Sequence, residues 1–149
     1  MFKKPLFKES ALLLLGIAIL HLLAIIFYLY WEWGEFDSLM HFLGGLWVSL
    51  TFIWFFFFSG LFAPKKRNLS SFLLISTLSI AFVAVAWEIF ELLAKVTFVH
   101  WRDYFSDTSL DFVMDFLGSI AGAFYGYMRE LEHSTEKLND NTSSTISNE

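Results

Sequence analysis

Four apolar runs divide the chain, at about 10–31, 39–62, 71–94 and 109–128, and polar or turn-forming residues fill the gaps between them. The runs are solidly apolar and lack the one-sided stripe of a soluble surface helix. Each has about 20 residues or more, enough at about 1.5 Å per residue to cross a hydrocarbon core of about 30 Å. Spanning sheets must close into barrels of alternating pattern, and four short segments cannot close one. The pattern therefore predicts an all-α polytopic membrane protein with four transmembrane helices. After about residue 130 the chain turns polar, rich in Ser, Thr, Asn and Glu, and segment 130–149 reads as a disordered cytoplasmic tail.

Composition strengthens this reading. Of 149 residues, 56% are hydrophobic, with 19 Phe and 6 Trp, which is too apolar for an ordinary soluble domain. Lys3, Lys4 and Lys8 precede the first run, as in a secretory signal. That run is too long for a signal core and ends at Trp31-Glu32-Trp33 without a small-residue cleavage site, so it reads as a retained span. The absence of cysteine excludes disulfides, thiolate metal sites and cysteine nucleophiles.

Charge sets an orientation. All of the 10 Lys and Arg residues except Lys95 and Arg102 fall at the N-terminus, in the second loop or in the tail. The positive-inside rule then places both termini in the cytoplasm, in an inner or plasma membrane, with the first and third loops outside.

Against that frame the acids are conspicuous. Asp37 and His41 open the second run, Glu88 and Glu91 close the third, and Asp107, Asp111 and Asp115 open the fourth. Steps of three or four residues put each set on one helix face. Counted from Ser71, Glu91 lies about 30 Å across the membrane and Glu88 about 4.5 Å deeper. Counted from Ser109, Asp111 and Asp115 lie about 3 and 9 Å below the outer boundary. All three helices thus bring acids to the outer third. Beneath them the same faces carry Gly45 and Ser49, Ala84 and Ala81, and Gly118, Gly122 and Gly126, small residues that let helices approach closely. A weaker stripe on the first run comprises His21, Tyr28, Glu32 and Glu35. Its glutamates read as solvated rim beside an interfacial Trp belt.

Carboxylates crowded in a partly dehydrated mouth need cations, shared protons or hydrogen-bond donors. Three readings stay open: a divalent metal site, proton or ion handling, and structural pairing. A metal site would use Asp37, His41, Glu88, Asp111 and Asp115 to hold Mg, Mn, Ca or Zn. Asp107, before Thr108 and Ser109, suits a helix N-cap. Glu91 is then the candidate catalytic base, and Arg102 in the aromatic loop 97–105 the candidate contact for a lipid phosphate. The corresponding function is metal-dependent hydrolysis or transfer on a lipid or lipid-linked envelope substrate at the outer leaflet. The alternatives are a cation or proton carrier, which needs a homo-oligomer to supply inverted repeats, and a non-catalytic lipid- or metal-binding accessory protein. Membrane lipid, and no nucleic acid, is the expected partner.

Three ordered segments carry a resemblance. Phe36-Asp37-Ser38-Leu39-Met40-His41-Phe42-Leu43-Gly44, then Trp87-Glu88-Ile89-Phe90-Glu91, then Asp107-Thr108 through Asp111, Asp115, Gly118 and Gly122 resemble the YjdF-like family of small bacterial inner-membrane proteins. More distantly they are similar to the VanZ-like family, linked to glycopeptide resistance and cell-envelope stress. Glu91 stands here where that family usually has Gln, and Asp115 where it usually has Asn. The resemblance implies an envelope membrane protein but supplies no reaction. The signatures of CDP-alcohol phosphotransferases, haloperoxidase-type lipid phosphatases and intramembrane zinc proteases are absent.

Overall fold

The computed structural model describes residues 6–62, 66–94 and 104–146. These residues form helices α1 (Phe7–Ile26), α2 (Leu29–Glu32), α3 (Glu35–Ile53), α4 (Leu69–Ala94) and α5 (Tyr104–Ile146), with a π-helical turn, Trp54–Phe58, extending α3. Among the described residues there is no strand.

Three helices are long and apolar enough to cross a membrane: Phe7–Ile26, Glu35–Phe58 and Leu69–Ala94. The outward faces of the first and third are bare hydrocarbon, with Leu12, Leu22, Leu74 and Phe82 all exposed. In water that much apolar surface would be unstable, whereas in lipid it is ordinary. The expected fourth run, 109–128, lies inside α5. Asp111 and Asp115 dilute its apolar character, and it is not among those three.

Small residues decide how the helices pack. A Cβ added to Gly45 would collide with the Asp115 carbonyl, and one added to Gly118 would collide with the Phe42 carbonyl. At Gly122 the added atom would lie 2.6 Å from Ser49 Oγ, and at Gly126 it would lie 3.0 Å from Ile53. The α3 and α5 backbones thus approach directly over roughly two turns, from Asp115 to Gly122, the close approach such spacing permits. Buried hydroxyls join further helices: Ser49 to Ser76 of α4 and Ser10 of α1 to Thr51, each at 2.7 Å. One end is filled by Leu50, Ile53, Phe57, Phe72 and Ala123, with Phe57 and Phe72 stacked at 4.2 Å.

Element boundaries differ from the sequence reading in three places. The first run is not one helix, because Tyr28 takes a left-handed backbone (φ 58°) that ends α1 and starts the short α2. A non-glycine residue adopts that conformation only where packing holds it. Here α2 returns Tyr30 onto His21 and Phe36. Second, α5 begins at Tyr104, so Asp107 lies in the first helical turn and is not the cap; the helix dipole favours an acid there. Third, α5 continues to Ile146 where composition suggests a disordered tail. Asn68 caps α4, its Oδ1 accepting from Ser71 N–H at 3.0 Å and Ser71 Oγ at 2.8 Å.

Candidate functional site

Asp37 and His41 lie one turn apart on α3, on the face that meets α5. The contact of Gly45 with the Asp115 backbone presses α5 against this turn. Asp111 and Asp115, also one turn apart, therefore straddle the His41 ring. Asp111 Oδ1 lies 3.6 Å from Nε2 and Asp115 Oδ1 lies 3.4 Å from Nδ1. Both acids are buried, at 4% and 7% exposure. Each ring nitrogen thus faces its own carboxylate, at distances longer than a well-made hydrogen bond.

A ligand atom from each of Asp37, His41 and Asp111 lies within 4.8 Å of the other two. Two carboxylates and an imidazole converging on one point suit a divalent cation. Asp115 faces the other ring nitrogen, where it can fix the tautomer and orientation of the imidazole, as a carboxylate commonly does behind a metal-bound histidine. That differs from the five-ligand set expected from spacing.

The remaining candidates are placed as follows. Glu88 accepts a hydrogen bond from Thr108 Oγ1 at 3.1 Å, which ties α4 to the first turn of α5 outside the converging group. Glu91 accepts from Trp87 Nε1 at 2.9 Å and faces the same cavity as Asp37, His41 and Asp115. Glu32 and Glu35 are exposed. Arg102, with most of loop 97–105, lies outside the described residues.

The cavity beside the cluster has a volume of about 350 Å³. His21 and Tyr30 also line it, and His21 Nδ1 lies 2.7 Å from the Tyr30 hydroxyl. Sequence periodicity paired His21 with Tyr28. The break at Tyr28 substitutes Tyr30, and no helical spacing could have revealed a partner nine positions away.

Residues 1–131 match the family described as "Predicted membrane protein (DUF2238)". The chain belongs to this family. Membership agrees with the three apolar helices and with an uncharacterised membrane family. No curated protein and no solved structure matches the chain.

Proposed function

We propose that this DUF2238 protein holds a divalent cation at Asp37, His41 and Asp111 near one face of the membrane and uses it on a lipid or lipid-linked substrate. The observation that carries this reading is the convergence of those three side chains, from two helices, to within 4.8 Å. Mg, Mn, Ca and Zn are the candidate ions. A cation there would polarise a phosphoryl or carbonyl oxygen. Glu91, held at one oxygen by Trp87, faces the same space and is placed to take a proton from an attacking water. Arg102 is assigned the contact with a lipid phosphate.

The one-sided placement takes segment 109–128 as a fourth crossing. Segment 109–128 packs glycine-to-backbone against α3, which is long and apolar enough to span, so the two share a depth. Four crossings put both termini on one side. The distribution of Lys and Arg favours a cytoplasmic placement of that side, with the cluster external. The YjdF-like and VanZ-like resemblances favour a cell-envelope substrate.

Metal analysis of the detergent-purified protein tests the centre. After exposure to Mg²⁺, Mn²⁺ or Zn²⁺ the native chain should retain about one ion, and Asp37→Asn/Asp111→Asn should retain none. A native protein without stoichiometric metal refutes the reading. For topology, the cysteine-free chain allows Ser106→Cys to be labelled by an impermeant thiol reagent in intact cells. Labelling of Ser70→Cys instead inverts the orientation.

A further inference from the structure

The cavity next to the acid–histidine cluster is long and graded in polarity. It runs beside α3 from Asp37 to Val48 and beside α4 from Glu91 to Ile80. At about 1.5 Å per residue, each stretch is about 16 Å long. A volume of about 350 Å³ lies at the small end of ligand pockets, which run from about 300 to 1,000 Å³, and suits one slender chain better than a two-chain lipid. An extended backbone advances about 1.2 Å per bond, so the space accommodates a chain of about a dozen carbons.

Polarity runs in the same direction. Leu14, Ile17, Val48, Ile80 and Val83 line the apolar part, and Asp37, His41, Glu91 and Asp115 are gathered at one end. A pocket with apolar walls and a few convergent polar groups is built for a ligand with one greasy and one polar end. Water gains little from such walls.

Access comes from the side. α1 and α4 line opposite walls, yet α1 docks on α3 and α2 and makes little direct contact with α4. Both helices carry exposed apolar side chains and are long and apolar enough to cross a membrane, so a gap between them would face lipid.

We infer that this cavity takes up, sideways from the bilayer, a single-chain amphiphile whose chain lies between α1 and α4 and whose oxygen-bearing head rests at Asp37, His41 and Glu91. The inference deepens the proposed function by naming its substrate class. It rests on that reading only for the contact between head and cation.

Trp47 and Trp87 line the cavity, so a bromine on the chain reports its presence by quenching their fluorescence. The full chain is reconstituted in lipid nanodiscs and titrated with 12-bromododecanol and with 12-bromododecyl phosphate. A saturable component is expected for both, lost in Trp47→Phe/Trp87→Phe. Gly44→Leu fills the cavity from α3, where an added Cβ meets nothing within 4 Å, and Ala18→Leu fills it from the opposite wall. Each should weaken saturable binding at least tenfold while keeping its metal. Asp37→Asn/Asp111→Asn should still bind the alcohol but lose preference for the phosphate. Quenching that rises linearly without saturation overturns the inference, as does binding unchanged in both filled variants. Equal saturable quenching by a brominated two-chain phosphatidylcholine overturns the single-chain assignment. Chain binding in a native protein that holds no metal would sink the proposed centre and leave this inference standing; metal without chain binding does the reverse.

Discussion

The two ends of the bundle handle buried charge in opposite ways. At one end Glu130, 7% exposed, receives Arg67 Nη1 at 2.9 Å, and Arg67 Nη2 donates to the Phe57 carbonyl at 2.6 Å. The same guanidinium lies over the Phe57 and Phe58 rings. Nearby, Arg129 bridges Glu9 of α1 and Glu132. Charges there are matched, closely bonded and attached to the aromatic core. At the other end three acids share one imidazole, and its ion-pair distances to Asp115 and Asp111 are 3.4 and 3.6 Å. A closed pair locks helices together, whereas an open, acid-rich group leaves capacity for something further. Under the proposed function, the contrast separates structural charge from functional charge within one small fold.

The severest test of the comparison removes the seam both ends depend on. Gly45→Val or Gly118→Val forces a side chain into the backbone of the facing helix, with no flexible group to yield. A loss of roughly 3 kcal/mol or more is expected, read as aggregation or a collapsed melting temperature in detergent. Next comes the closed end. Arg67→Met strands the Glu130 carboxylate and should cost about 2 kcal/mol, below the range for fully buried pairs because the Arg67 side chain is 37% exposed. Adding Glu130→Gln should recover most of that loss, and a double-mutant cycle in denaturant measures it. The open end should respond with the other sign. Asp111→Asn removes a buried acid from an acid-rich group, so the metal-free protein should gain up to about 1 kcal/mol while losing metal affinity. A large loss of metal-free stability would show that the two ends are alike. The smallest effect is at Gly44, adjacent to Gly45 but facing open space. Gly44→Ala should stabilise α3 by about 0.5–1 kcal/mol, seen as a small rise in melting temperature.

Much of this was legible beforehand for physical reasons. Runs near 20 apolar residues have few fates, and α4 follows its run closely, at Leu69–Ala94. Helical periodicity placed Asp37 with His41 and Asp111 with Asp115, and the small residues beneath them named the faces that meet. Periodicity could not show the break at Tyr28, since packing of Tyr30 against His21 and Phe36 holds that backbone conformation. It also set Glu88 and Asp115 level with Asp37 and Asp111. Their separation depends on partners from other helices, Thr108 for Glu88 and His41 Nδ1 for Asp115.

The sequence by itself determined the helical class, the membrane setting, the acidic faces and the seam, because each follows from local hydropathy and a helical repeat. Only the tertiary structure decided which carboxylate meets which nitrogen of His41, and that a cavity opens beside them. Those outcomes depend on axial registration of α3 against α5 and on the gap between α1 and α4. Registration is set by where glycines admit a neighbouring backbone, a contact between distant residues that no local pattern encodes.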